Sequence, residues 1–88
     1  MGVKFQFKGH ELHVDQYIRS MRLYVDGKQA DAVNGFVETQ LNDVTLKTVL
    51  NNSDHSEDRV LVAVKRQLLA NEVTLYVNDE KMETKILL

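Results

Sequence analysis

One short pattern that occurs twice constrains the fold of this chain more than any other feature of its sequence. The triplet Leu-Tyr-Val stands at 23–25 directly before an Asp-Gly pair, and again at 75–77 directly before an Asn-Asp pair. A β pattern that runs into such a pair is typical of a hairpin with a two-residue type I′ turn, in which both central residues need φ > 0. Asp-Gly suits that turn better than Asn-Asp does. The sequence therefore predicts two antiparallel hairpins within an all-β domain.

The first residues of the chain show the same alternation. Val3 and Phe5 are separated by lysine, and the run continues with glutamine and phenylalanine. This period of two is typical of a half-buried strand. A turn at 8–9 would place Leu12 opposite Phe5 and Val14 opposite Val3, which predicts a further hairpin.

Residues 59–66 contain five consecutive apolar side chains at 60–64, as expected of a central strand buried on both faces. An alternative is a helix over 57–70, capped by Ser56, which would make the fold α+β. Three valines among five residues favour the strand, because β-branched side chains lose rotamer freedom in a helix. We expect about eight strands in a small antiparallel β-sandwich or flattened barrel.

The spacing of apolar residues over 14–21 is helical and predicts a crossover with one helical turn. Further along, the dipeptides at 34–35 and 42–43 are typical of turns and predict a strand between them. If all loops have two residues, Val33 pairs with Phe36 and the strand registers agree. One sheet face then carries the expected core residues Leu23, Val25, Ala30, Ala32, Val37, Leu41, Val44, Leu46 and Leu50.

Length and composition narrow the class of protein. Eighty-eight residues correspond to a single domain over 1–88. The absence of cysteine excludes disulfides and cysteine-based zinc sites and is consistent with a reducing compartment. No signal-peptide pattern is present, and the longest apolar run is too short to span a bilayer. We expect a soluble, cytoplasmic protein that does not associate with membranes.

The net charge of −2 is unevenly distributed. Residues 31–58 contain one basic side chain and six acidic ones, and no stretch of the chain forms a basic stripe. Binding to nucleic acid requires such a stripe to neutralise phosphates. We therefore expect no nucleic-acid partner.

The segment 51–58 has no apolar residue and is expected to be a solvated loop. Its alternating Asn, Asp and Ser side chains resemble part of a calcium-binding loop, but the glycine and the glutamate of that pattern are missing. If the chain binds a metal at all, the candidate ligands are Asp54, His55 and Asp58. We expect a solvated connector instead, with its carboxylates exposed.

Residues for catalysis are scarce. His10 and His13 would lie on opposite faces of a strand, and the serines beside His55 lack a buried third group to orient the ring. No glycine-rich phosphate loop is present. We expect no enzymatic activity and no cofactor. Tyr24 and Tyr76 lie opposite the core residues of their strands, and they form a possible interaction surface on one exposed sheet face.

The segment 23–28, Leu-Tyr-Val-Asp-Gly-Lys, resembles a turn of the Fas apoptosis inhibitory molecule family, whose members are β-sandwich proteins. The resemblance covers six residues, and no activity is transferred from it. The sequence favours a non-enzymatic interaction module that binds another protein or forms a homodimer. The alternative is a small-ligand or metal-binding domain that uses the 51–58 loop.

Overall fold

The computed structural model describes residues 2–88, which form eight strands and one short helix. Strands β1 to β4 form one antiparallel sheet and β5 to β8 form a second, each in sequence order. The two sheets make a sandwich and do not close into a barrel, so the all-β prediction is confirmed and a helix over 57–70 is excluded. In chain order the elements are β1 (Gly2–Phe7), β2 (His10–Gln16), β3 (Ser20–Val25), β4 (Lys28–Asn34), α1 (Phe36–Gln40), β5 (Val44–Asn51), β6 (Glu57–Arg66), β7 (Asn71–Val77) and β8 (Glu80–Leu87).

The two sheets pack face to face around one apolar core. Along β3, Leu23 is fully buried while Tyr24 beside it faces outward, as the two-residue period of a strand requires. The edge strands β4 and β5 lie beside each other, and Asp31 Oδ2 accepts a hydrogen bond from the backbone N–H of Lys47 at 2.7 Å. The buried apolar side chains are Phe5, Leu12, Val14, Met21, Leu23, Val44, Leu46, Leu50, Val60, Val62, Val64, Val73, Leu75, Val77 and Leu87.

Each sheet is the same four-stranded meander, and the two Leu-Tyr-Val triplets lie in its third strand, β3 and β7. The turn after β3 has φ of 50° at Asp26 and 84° at Gly27, and the turn after β7 has φ of 51° at Asn78 and 68° at Asp79. Positive φ at both central residues identifies type I′ turns. Both predicted hairpins are therefore confirmed.

A β-bulge accompanies each of these hairpins at the same place. The register shifts after Leu23 and again after Leu75, which leaves Ala30 in β4 and Met82 in β8 without a cross-strand partner. Ala30 was expected in the core, but it is exposed, and Ala32 is only half-buried. The extra residue shifts the inward-facing positions of β4, and a register based on the turn alone misses it.

The helical turn predicted over 14–21 is wrong. Strands β2 and β3 are joined by a tight turn at 17–19, which the N–H of Tyr17 closes with a backbone hydrogen bond of 2.8 Å. Val14 and Met21 are buried on neighbouring strands, whereas Ile18 is exposed at the turn. Val14 and Met21 are seven positions apart because the hairpin turn lies between them, and this separation coincides with two turns of a helix.

The strand predicted between the turns at 34–35 and 42–43 is also wrong. The chain crosses there from the first sheet to the second, and it forms the short helix α1 after Gly35, which has φ of 112°. Thr39 is the one buried residue of this helix, and its Oγ1 donates to the carbonyl of Gly35 at 2.6 Å. Val37 and Leu41 were expected in the core but are exposed.

Candidate functional site

The turns of the two meanders gather at opposite ends of the sandwich, because alternate turns of a meander lie on the same side of its sheet. Contacts between the turns of the two sheets define the two ends. We call the first the polar end, formed by the turns at 8–9, 26–27, 52–56 and 78–79. We call the second the apolar end, formed by 17–19, 35–43, 67–70 and Leu88.

The carboxylate of Asp58 lies at the centre of the polar end. Asp58 is only 5% exposed. Its carboxylate accepts hydrogen bonds from Lys8 Nζ at 3.0 Å and from Asn52 Nδ2 and Asn78 Nδ2 at 2.8 Å each. These donors, with Asn52 and Asn78 contributing most, lower the pKa of Asp58 to about 2. Asp58 was expected to be a solvated loop carboxylate. It instead lies in the second position of β6 and joins the turns of both sheets, because the 51–58 segment contains only a five-residue loop at 52–56.

A histidine–carboxylate pair lies beside it. His10 Nδ1 is 2.8 Å from Asp26 Oδ2, and Asp26 Oδ1 accepts the backbone N–H of Glu11 at 2.9 Å. The hydrogen bond to Asp26 raises the pKa of His10. The N–H of Glu11, together with His10, lowers the pKa of Asp26. Sequence reasoning missed this pair, although a meander places the start of β2 beside the turn that follows β3.

The His10–Asp26 pair lines a cleft of about 670 Å³. The cleft is bounded by His10 and Asp26 on the first sheet and by the 52–56 loop on the second. Asn52 Oδ1 is covered at this site, and an interaction of the Asn52 side chain with His10 also raises the pKa of that histidine. The cleft thus offers polar groups to a small ligand.

The three metal candidates are not brought together as ligands. Asp54 accepts hydrogen bonds from the backbone N–H and the hydroxyl of Ser56, at 3.0 and 2.5 Å. His55 occupies a turn position with φ of 67°, and Asp58 is surrounded by its own donors. In the described part of the chain, no three His, Cys, Asp or Glu side chains are placed to hold a metal ion.

Tyr24 and Tyr76 do not form one surface. Tyr24 lies on β3 and Tyr76 on β7, so they project from the outer faces of different sheets. The Tyr24 hydroxyl lies 3.4 Å from that of Tyr17, and the Tyr24 ring lies 6.1 Å from the ring of His13, so this tyrosine packs against its own sheet. The prediction of two aromatics on a single sheet face is therefore wrong.

The apolar end carries an exposed aliphatic surface that sequence reasoning missed. Leu68 and Leu69 are 97% and 88% exposed, and Leu88 and Ile18 are 79% and 74% exposed. Two adjoining cavities of about 240 and 190 Å³ share Gln16, Gln40 and Leu88 as lining residues, so Leu88 lies between the Leu68–Leu69 pair and Ile18. The available signal was the Leu-Leu pair at 68–69 between two strand patterns, since the tip of a hairpin is exposed to solvent.

Arg66 lines the larger of these two cavities. Its backbone N–H donates to Asp43 Oδ1 at 2.7 Å, and its Nε donates to the carbonyl of Asn42 at 3.0 Å. Its Nη2 is covered and has no acceptor in residues 2–88. Burial lowers the pKa of Arg66, and the nearby charge of Asp43 opposes that effect.

No protein-family model matches this chain, and neither a curated protein nor a solved structure shows significant similarity to it. Within residues 2–88, no helix has the length and apolarity needed to cross a bilayer.

Proposed function

We propose that this protein is a non-enzymatic interaction module that binds a protein partner through its apolar end. The observation that carries this proposal is the exposure of Leu68 and Leu69 at the tip of a tight hairpin, next to Leu88 and Ile18. Soluble monomers seldom expose contiguous aliphatic patches unless these bind another surface. We place the module in the cytoplasm, a location supported by its lack of cysteine.

The aliphatic side chains are held on an ordered hairpin. The N–H of Gln67 donates to the carbonyl of Ala70 at 3.1 Å, and the Gln67 side chain donates to Glu72 Oε2 at 2.9 Å. A loop already held in one shape loses less conformational entropy on binding. Complete burial of one leucine side chain contributes roughly 1.5–3 kcal/mol. Two leucines at the tip therefore supply a large share of the free energy of a moderate interface.

The test is a comparison of two variants. Leu68→Ser with Leu69→Ser removes the aliphatic tip, and Val49→Ser is the matched control because Val49 is an exposed apolar residue on β5, outside the apolar end. Proteins crosslinked to the wild-type domain in its host are identified and purified, and their binding is measured by calorimetry. We expect the double variant to bind at least about tenfold more weakly, which corresponds to about 1.4 kcal/mol, and the control to bind normally.

The same variants test self-association by sedimentation velocity. A homodimer that dissociates in the double variant but persists in the Val49→Ser variant would identify a second copy of the chain as the partner. Equal binding by all three proteins, with no change in sedimentation, would contradict the proposal.

A second candidate function is the binding of a small polar ligand in the cleft of the polar end. It is favoured by the 670 Å³ volume of the cleft and by the polar side chains that line it, among them His10, Asp26 and Asp54. A ligand with N–H or O–H groups would find acceptors in the carboxylates of Asp26 and Asp54. A fragment screen that follows amide chemical shifts tests this function: saturable shifts confined to 52–56 and His10 would support it.

A further inference from the structure

We infer that the apolar end recognises a peptide segment in which one Asp or Glu carboxylate stands between aliphatic side chains, with the carboxylate paired to Arg66. This inference rests on the proposed function, and it specifies the chemistry of the partner. It follows from the position of one cation within the aliphatic surface.

The guanidinium of Arg66 is incompletely satisfied. Nε has its acceptor in the carbonyl of Asn42, while neither Nη atom has an acceptor in residues 2–88, and Nη2 is shielded from water. Covered donors are nearly always paired in folded proteins, so Nη2 lacks an acceptor that such an atom usually has. Arg66 as a whole is half-buried, and an acceptor that arrives with a partner would pair with the part of the guanidinium that lines the cavity.

Within the described residues, no ion pair joins the guanidinium of Arg66 to a carboxylate. Asp43 accepts the backbone N–H of Arg66, and its charge acts on the guanidinium without forming an ion pair with it. The other polar side chains that line the cavity are amides, among them Gln16, Gln40 and Asn71. The cavity therefore favours an anion.

The size and surroundings of the cavity select a carboxylate. The cavity has a volume of about 240 Å³ and is lined by a single cation, Arg66. One cation balances the single negative charge of a carboxylate, whereas a phosphate group carries nearly two negative charges. The exposed aliphatic residues Leu68, Leu69 and Leu88 border the same space. They favour leucine-like or valine-like side chains on either side of the acid.

The experiment selects peptides from a random library displayed on phage, using the folded wild-type domain as bait. Enriched peptides are synthesised, each with a matched copy in which the acidic residue is replaced by its amide. We expect an acid flanked by aliphatic residues, and at least about tenfold weaker binding of the amide copies. Arg66→Gln should remove the difference between acid and amide. Arg19→Gln should preserve it, because Arg19 is an exposed arginine of the same end that does not line the cavity.

The outcomes separate this inference from the proposed function. Peptides that lose binding with Leu68→Ser and Leu69→Ser but show no acid preference would overturn the inference and leave the proposed function standing. Peptides that ignore the leucine variants would contradict both. The inference would also be overturned if Arg19→Gln, and not Arg66→Gln, removed the preference for the acid. The same holds if the leucines support binding only to vesicles of phosphatidylcholine and phosphatidylserine, or only to a second copy of the chain. If Arg66→Gln does not fold, the Nε–H resonance of wild-type Arg66 gives the answer: it should shift with the acidic peptide and stay unchanged with the amide copy.

Discussion

Asp26 and Asn78 occupy equivalent positions in the two sheets. Each is the first of the two central residues of a type I′ turn. The side chain of each accepts a hydrogen bond of 2.9 Å from a backbone N–H of the second strand of its sheet, from Glu11 in one sheet and from Arg59 in the other. Their own N–H groups donate back to the carbonyls of Glu11 and Arg59 at 2.9 and 2.8 Å. The same side-chain and backbone contacts thus hold both turns to their sheets.

The equivalence extends to the residue that precedes Glu11 and Arg59 in the second strand of each sheet. His10 in β2 corresponds to Asp58 in β6, and each bonds to the turn residue of its own sheet, His10 to Asp26 and Asp58 to Asn78. The repeated backbone therefore carries two different pairs of side chains. In one pair the pKa of His10 is raised, and in the other the pKa of Asp58 is lowered to about 2.

Replacement of Asp58 by alanine should destabilise the fold. The change leaves Lys8, Asn52 and Asn78 without the carboxylate that joins the two sheets. We expect the Tm to fall by roughly 10 °C in a domain of this size. Asp54→Ala is the control, since Asp54 is exposed and bonds only within its loop. Thermal unfolding followed by circular dichroism gives the measurement, and equal Tm values for the two variants would contradict this role.

The polar end should make stability depend on pH in two windows. The folded pKa of His10 is raised above 6.5, so its stabilising effect is fully present below pH 6.5 and is lost as the pH rises through the folded pKa. The folded pKa of Asp58 is lowered from 3.8 to about 2, so its stabilising effect is present above pH 3.8 and is lost as the pH falls towards 2.

Urea unfolding at a series of pH values measures both effects. His10→Asn should flatten the decline of stability above pH 6.5, while the control His55→Asn should retain it, because His55 lies in the exposed loop. If His10→Asn shows the same decline as the wild type, the His10–Asp26 pair does not cause it.

Removing a glycine from one of the equivalent turns should lower the stability of the protein, and introducing a glycine into the other should raise it. Gly27 and Asp79 both have positive φ, of 84° and 68°, and a Cβ at Gly27 would meet no other atom within 4 Å. Gly27→Ala should therefore cost about 1 kcal/mol through backbone strain alone. Asp79→Gly should stabilise the protein by several tenths of a kcal/mol, since the exposed ion pair with Arg59 that it removes contributes little. Chemical denaturation of both variants checks the signs, and a change of the same sign in both would refute this account.

Calcium and zinc should bind the 52–56 loop no more tightly than roughly millimolar. The described residues place no group of three ligands together, and an unorganised loop loses ordering entropy on coordination. Titration followed by amide chemical shifts measures the affinity, with magnesium as the control ion. Saturable shifts at Asp54 and His55 in the micromolar range would favour the alternative of a metal-binding domain.

Much of the fold follows from local rules. The alternation in β1, the valines of β6 and the dipeptides after β3 and β7 each indicate the correct structure, because period and turn type depend on neighbouring residues. The prediction failed between β4 and β5. An Asn-Gly pair suits a hairpin, but here it precedes a crossover between sheets, and no local preference reports which sheet the next strand will join.

The sequence by itself determined the strand content, the type I′ turns and most inward-facing residues, since these depend on short-range sterics and on burial of every second side chain. Only the tertiary structure decided which turns meet. It buried Asp58 among Lys8, Asn52 and Asn78, residues up to fifty positions away. At the opposite end it placed Leu68 and Leu88 around one cavity, and Leu88 and Ile18 around the adjoining one. Both candidate sites arise where segments distant in sequence converge, so neither the buried carboxylate nor the exposed aliphatic surface is visible in any local pattern.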